Sequence, residues 1–177
     1  MITLLIGESA SGKDLIAKKL EQDGYKILKS YATRPRRPDE GDTHIFIKPE
    51  EVKQYKNDFI AYTKIGSYEY FATMEQLKQS DIYIIDPKGY HYCKDKIKNI
   101  RIVPIYINVN ENTRYQRALQ RVNYNEKEKQ ETEKRFVNEF QQFQDFRKKD
   151  EFYSVINHDI DKAVKIIKEI IEIEKGS

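Results

Sequence analysis

The chain begins with MITLLIGESASGKD, residues 1–14, and this stretch decides the fold class. Residues 2–6 form an apolar run that stops at Gly7, and apolar residues then recur at helical spacing from 13 to 20. The opening is therefore predicted to be a buried strand, a glycine loop and a helix. Residues 7–13 fit the pattern G-x-x-x-x-G-K between that strand and that helix, which is the context that a phosphate-binding loop requires.

The residue types of this loop suit the binding of a nucleotide polyphosphate. Glycines let the backbone approach an anion closely, and N–H groups converge on it at the helix N-terminus. Lys13 would reach the β- and γ-phosphates, and Asp14, where Ser or Thr is usual, is a candidate ligand for Mg²⁺. The alternative is a glycine-rich turn that binds nothing. The candidate ATP ligands here are Gly7, Glu8, Ser9, Ala10, Ser11, Gly12, Lys13 and Asp14.

Length and composition narrow the classes of protein. The 177 residues, 38% of them hydrophobic, suit one domain with a real core. Although 34% of the residues are charged, the net charge is only +3, which argues against nucleic acid and membrane surfaces as partners. A single cysteine, Cys93, excludes an internal disulfide and favours a reducing compartment, so we expect a cytoplasmic protein, monomeric or homodimeric.

Strands alternate with helices along the chain, which predicts a parallel sheet covered on both faces. A segment dense in Arg and Pro at 33–42, followed by short stretches at 45–47, 59–63 and 68–72 that are typical of antiparallel strands, indicates a small inserted subdomain. The predicted core strands are 2–6, 25–28, 82–85, 102–107 and 153–156; the predicted helices are 13–20, 112–122, 131–148 and 160–173.

The segment after the second strand, SYATRPRRPDEG at residues 30–41, resembles the acceptor-binding motif of guanylate kinases, T-T-R-x-P-R-x-G-E in outline. The order of elements is similar to that family over nearly the whole chain. The resemblance implies an α/β, P-loop kinase three-layer fold with a parallel five-stranded core sheet. It further implies a core of residues 1–30, 81–120 and 136–177, an insert at 31–80 that binds a nucleoside monophosphate, and a helical lid at about 121–135.

The activity that the resemblance implies is transfer of the γ-phosphate of ATP to GMP or dGMP, with Mg²⁺ as cofactor. Planar arginine forks and hydroxyl donors suit a monophosphate dianion. The alternative is that these arginines belong to an exposed basic loop that binds no nucleotide. For Arg37 this alternative is as good an interpretation as a role as phosphate ligand. The implied acceptor ligands are Ser30, Arg34, Arg36, Arg37, His44, Tyr70 and Asp86.

Two positions depart from the family at the guanine-binding end. Ala61 replaces a Glu that binds the guanine edge, Ala72 replaces a Ser, and Glu69 lies near enough in sequence to compensate. Losing polar partners of a base lowers selectivity, so a kinase for a different nucleoside monophosphate stays open. A non-catalytic guanylate-kinase-like binding module is a further alternative, which the presence of Lys13 disfavours.

Arginines that would clamp the triphosphate follow in the second half of the chain. Arg114, Arg117 and Arg121 recur at helical spacing, and Arg135 follows a polar stretch. The resemblance matches Arg117, Arg121 and Arg135 to the borders of a mobile lid, so that with Lys13 and Arg34 they are the candidate catalytic residues. A charged outer helix face is the alternative. Asn157, in a stretch similar to the family's end motif, would approach the adenine, or would cap the last helix.

Overall fold

A parallel sheet of five strands forms the centre of the structure, a computed structural model that describes residues 1–36, 42, 44–123 and 125–176. Its strands are β1 (Ile2–Ile6), β2 (Ile27–Leu28), β7 (Ile82–Ile84), β8 (Ile102–Asn108) and β9 (Tyr153–Ile156). They lie in the order β2-β7-β1-β8-β9, and every pairing is parallel. Because β1 is central and buried along its whole length, the loop after it opens at the middle of the sheet's carboxyl edge.

Helices cover both faces of this sheet, as parallel strands require. Alternation along β1 sends Ile2, Leu4 and Ile6 to one face and Leu5 to the other. The helices are α1 (Lys13–Gln22), α2 (Met74–Lys78), α3 (Pro87–Lys96), α4 (Glu111–Arg121), α5 (Glu126–Lys149) and α6 (Ile160–Gly176). The first face of the sheet packs against α3 and α5, and the second face packs against α1 and α6. The predicted three-layer α/β class is confirmed.

A second sheet of four strands stands beside the core in the order β4-β3-β6-β5. Its strands are β3 (Ser30–Ala32), β4 (His44–Phe46), β5 (Phe59–Ile65) and β6 (Tyr68–Thr73), with 3-10 turns at Pro49–Gln54 and Lys56–Asp58. β6 pairs antiparallel with β3 and β5, but β4 pairs parallel with β3. The prediction that the strand at 45–47 is antiparallel was therefore wrong, because alternation of side chains does not report strand direction. The proposed limits of insert and lid stay predictions.

Two helices differ from the sequence interpretation. α3 was not predicted, although Asp86 accepts a hydrogen bond from the backbone N of Gly89 at 2.6 Å and Pro87 occupies the first turn, both of which are helix-start features. α5 begins at Glu126 rather than 131, since acidic residues in a first turn are favoured by the helix dipole. Within the described part of the chain, none of the helices combines the length and apolar character that a bilayer crossing requires.

Candidate active site

The loop between β1 and α1 has the backbone shape of an anion cradle. Ala10 and Gly12 have φ angles of 61° and 93°, which turn successive N–H groups toward one side. Gly7 is packed so closely that a Cβ there would meet the carbonyl oxygen of Ile107 at 2.9 Å. A side chain at Gly7 is therefore excluded by β8, and the loop can lie against the sheet edge.

Lys13 folds back over this loop. Its Nζ donates to the carbonyl oxygens of Gly7 at 2.5 Å and Glu8 at 3.0 Å, and lies 3.3 Å from the Oγ of Ser11. Burial lowers the pKa of Lys13, although the nearby carboxylates of Asp14, Glu139 and Glu8 oppose that shift. A partly desolvated ammonium held at the mouth of the loop is suited to a polyphosphate.

Asn157, which directly follows the edge strand β9, is hydrogen-bonded to the loop. The side chain is 3% exposed, and its Nδ2 donates to the carbonyl oxygen of Ser11 at 2.8 Å. A Cβ at Gly12 would come within 2.5 Å of the same Nδ2, so glycine is required here by space as well as by φ. Arg117 in turn donates to the carbonyl oxygen of Asn157 at 3.3 Å. The contact with adenine stays a prediction, and the capping bonds at the start of α6 come from Asp159.

Helix α5 contacts the loop at two points that the sequence interpretation missed. Arg147 donates to the carboxylate of Glu8, which is 5% exposed and also accepts from the hydroxyl of Tyr106 at 2.7 Å. Burial and this hydrogen bond raise the pKa of Tyr106 to about 12. Eight residues earlier on the same helix face, the carboxylate of Glu139 accepts from the backbone N of Ser9 at 2.8 Å and from its Oγ at 2.5 Å. The predicted Glu8 and Ser9 are therefore both held by α5.

Arg114, for which the family resemblance gave no role, is the most buried member of the arginine stripe on α4. It is 7% exposed, donates to the carbonyl oxygen of Ser9 at 3.3 Å and stacks over Phe136 at 5.0 Å. Its helical spacing with Arg117 and Arg121 was the signal that could have identified it. Arg121 and Arg135 are exposed and line a separate pocket of about 450 Å³ that reaches Ser9 and Ala10.

A cleft of about 390 Å³ joins the phosphate loop to the four-stranded sheet. It is within the size range of small-molecule sites. Seven of the residues predicted from the sequence line it together: Gly7, Ser9, Lys13, Ser30, His44, Tyr70 and Asp86. The structure thus brings the predicted donor lysine and four of the predicted acceptor ligands to one space, whereas Arg34 and Arg36 are not among the described residues that line it.

The acceptor side of this cleft is ordered by contacts between neighbouring strands. Ser30 and His44 are directly paired in β3 and β4, and the Oγ of Ser30 is hydrogen-bonded to the Nδ1 of His44 at 2.9 Å. The His44 ring meets the edge of Tyr70 with centroids 5.9 Å apart. Asp86 accepts a hydrogen bond at Oδ1 from the first turn of α3 and also lines the cleft.

The predicted arginines of the acceptor motif lie beside Phe46. The guanidinium of Arg34 is 5.2 Å from the centre of that ring and the guanidinium of Arg36 is 5.6 Å from it. Arg34 is 8% exposed and also donates to the carbonyl oxygen of Pro35 at 3.0 Å. Arg37 lies outside the described residues.

Apolar side chains, among them Ala61, line the end of the cleft that is predicted to receive the base. Ala61 and Ala72 are cross-strand partners in β5 and β6, 3% and 0% exposed, and they belong to the buried cluster that contains Phe143. Glu69 precedes Tyr70 in β6 and so points to the opposite face of that strand, where it accepts from the hydroxyl of Tyr62 at 2.7 Å. Glu69 is not one of the described residues that line the cleft, and its compensating role stays a prediction.

Asp14 is the predicted metal ligand. It lies exposed in the first turn of α1, beside Lys13. Within residues 1–36, 42, 44–123 and 125–176, no group of three or more His, Cys, Asp or Glu side chains could hold a metal ion. A lone carboxylate does fit Mg²⁺ that is bound mainly by phosphate oxygens and water, the usual arrangement for this ion.

The fold and the loop of residues 7–13 between β1 and α1 define the P-loop class of protein. The sequence model of the guanylate kinase family matches residues 2–174. The chain belongs to the guanylate kinase family, and is accordingly an ATP-dependent nucleoside monophosphate kinase.

Individual relatives agree with this assignment. A guanylate kinase of Helicobacter pylori is 29% identical over 178 residues, which cover 94% of this chain and 84% of the relative. The guanylate kinase crystal structure from Anaplasma phagocytophilum is similar with a TM-score of 0.65 at 19% identity, over 98% of this chain and 85% of that one. The crystal structure of TT1252 from Thermus thermophilus is similar with a TM-score of 0.55 at 12% identity, and the match covers 98% of this chain and 97% of that one. These two structures support the fold.

Proposed function

We propose that this protein transfers the γ-phosphoryl group of ATP to GMP or dGMP, forming ADP and GDP or dGDP. The observation that carries the proposal is the single cleft in which Lys13 faces Ser30, His44, Tyr70 and Asp86. The guanylate kinase of Helicobacter pylori, with 29% identity over most of both chains, supports GMP as the acceptor.

Catalysis in this cleft would consist of holding two phosphates in line and neutralising their charge. The loop N–H groups and Lys13 would bind the β- and γ-phosphates of ATP. Ser30, Arg34, Arg36 and His44 would hold the acceptor phosphate, so that its oxygen attacks the γ-phosphorus and ADP leaves. A desolvated ammonium is more effective here than one in water, because charges attract more strongly where water is excluded.

The remaining arginines would act at the donor side. Arg121 and Arg135 line the pocket that reaches Ser9 and Ala10, and closure of the lid would bring them to the triphosphate. Arg117 would act through Asn157, which it holds against the loop. Mg²⁺ bound with ATP would screen the phosphate charges, and Asp14 would hold it directly or through water. We expect the enzyme to work in the cytoplasm on free nucleotides, as a monomer or homodimer.

The acceptor assignment is tested by measuring ADP release with ATP and each common ribo- and deoxyribonucleoside monophosphate in turn. We expect GMP and dGMP to give the highest kcat/KM. The assignment fails if both are inactive while another monophosphate is phosphorylated. The apolar pair Ala61 and Ala72 is the observation that favours this second candidate, a kinase for a different base.

A non-catalytic binding module is the other alternative. Its signature would be failure to bind ATP in a titration, together with no ADP release on any acceptor. The presence of Lys13 beside the loop disfavours it, because an ammonium next to Gly7 and Glu8 is suited to a triphosphate.

A further inference from the structure

The polar groups at the acceptor end of the cleft are mostly engaged within the protein. Ser30 is hydrogen-bonded to His44, Asp86 uses one oxygen at the start of α3, and Glu139 is bonded to Ser9. Ala61 lines the cleft as an apolar wall and its cross-strand partner Ala72 packs in the same buried cluster, so few groups remain that could distinguish one base from another.

Gln142 on α5 differs from these residues, because its side-chain donor is not engaged by a described residue of the protein. It lines the cleft one helical turn after Glu139, and its neighbour Phe143 packs in the buried cluster that contains Ala61 and Ala72. This position places it between the phosphate loop and the apolar wall. The Nε2 of Gln142 is buried and has no hydrogen-bond partner among the residues that the structure describes. A buried donor without a partner destabilises a protein, so a ligand atom that accepts from it is bound with a clear gain.

We propose that Gln142 is a specificity-determining residue that donates a hydrogen bond from Nε2 to a carbonyl oxygen of the acceptor base, O6 in the case of guanine. The inference rests on the proposed function, because it names a further ligand of the same acceptor site. Gln142 thereby supplies, from a helix, a polar contact that Ala61 and Ala72 of the sheet cannot make.

Asp86 makes the choice of base more definite. Its carboxylate accepts hydrogen bonds only, so together with Gln142 it offers one acceptor and one donor to the base. Guanine, hypoxanthine, uracil and thymine present the matching edge, an N–H beside a C=O. Adenine and cytosine present an unprotonated ring nitrogen to Asp86 instead, which leaves two acceptors facing each other. The site therefore selects bases with an N–H and C=O edge.

The test is a thermodynamic cycle that combines one side-chain replacement in the protein with one atom replacement in the substrate. Wild type and Gln142→Leu are each assayed with GMP and with 6-thioguanosine monophosphate, which keeps the ring N–H but replaces O6 by sulfur, a weak acceptor. We expect wild type to prefer GMP by about tenfold in kcat/KM, the typical effect of one hydrogen bond. In Gln142→Leu that preference should disappear, while the KM for ATP stays unchanged.

Gln141→Leu is the matched control, since Gln141 is exposed on the same helix and its Nε2 donates to the carboxylate of Asp145 at 3.0 Å. It should keep the wild-type preference. The melting temperature of Gln142→Leu should not fall, because leucine removes an unsatisfied donor from an apolar setting. Retention of the full GMP preference in Gln142→Leu overturns the inference.

The same design separates this inference from the identity of the acceptor. If GMP is inactive and UMP or dTMP is phosphorylated, the guanine assignment fails, and the cycle is run with the 4-thio analogue of that nucleotide. Loss of the oxygen preference in Gln142→Leu then supports the role of Gln142. If AMP or CMP is the preferred acceptor, the role of Gln142 is refuted as well.

Discussion

The phosphate loop and the base end of the cleft use two different ways of building a binding site. The loop is seven consecutive residues whose ligand groups are mainly backbone N–H, and its shape is set by Gly7, Gly12 and the sheet edge. The base end is assembled from side chains of β3, β5, β6, α5 and the start of α3. A backbone site tolerates most substitutions outside its glycines and lysine, whereas a side-chain site changes its ligand with a few replacements.

Lys13→Ala attacks the donor side directly and should have the largest effect. It removes the charge that faces the γ-phosphate, so kcat/KM should fall by about a thousandfold or more, as for other electrostatic groups at a reacting centre. The fold should remain intact. Burial lowers the pKa of Lys13, which means that its charged form destabilises the folded state, so removing the charge does not lower the free energy of unfolding.

The measurement is ADP release at saturating GMP, with circular dichroism as the check on folding. Lys18→Ala on the same helix is the matched control, since Lys18 is exposed, and it should keep wild-type activity. Turnover by a folded Lys13→Ala enzyme within tenfold of wild type would refute the donor role of this lysine.

The same contrast explains what the sequence could predict. The strand, loop and first helix were predicted correctly because their signal is local: an apolar run, two glycines at fixed spacing and a helical pattern. Ser30, His44 and Tyr70 came from the family resemblance, and the structure brings them together. Glu139 and Arg147 carry no local signal, because their contacts with Ser9 and Glu8 span 130 and 139 positions along the chain and depend on how α5 docks. Gln142 likewise reaches the cleft only through the docking of this helix.

Gly12→Ala changes only the backbone side of the comparison. Alanine at φ +93° is strained by roughly 1–3 kcal/mol, and its Cβ would also press on the Nδ2 of Asn157. We expect a loss of about a hundredfold in kcat/KM for ATP, since a displaced cradle misplaces the phosphate by about an ångström. ATP titration and thermal denaturation measure the two effects.

Gly24→Ala separates strain from contact. Gly24 has nearly the same angle, φ +97°, but a Cβ there would meet nothing within 4 Å. The Gly24→Ala variant should lose stability to an extent similar to Gly12→Ala, but it should keep the wild-type affinity for ATP. If Gly24→Ala and Gly12→Ala weaken ATP binding equally, the clamp by Asn157 has no functional importance.

Glu139→Gln should have the smallest effect, and its direction is opposite to that of the other variants. Glu139 places a carboxylate on Ser9, where it raises the pKa of Lys13 and would repel an incoming triphosphate. Charges of like sign separated by several ångströms and partly hydrated repel by roughly 1 kcal/mol, so the KM for ATP should fall about two- to fivefold. The KM for GMP should not change, and Glu169→Gln, an exposed replacement on α6, should leave both constants at the wild-type values. A higher KM for ATP in Glu139→Gln would show instead that the carboxylate positions the loop. In that case the donor site, like the base end, would depend on side chains of α5, and the contrast between the two ends of the cleft would no longer hold.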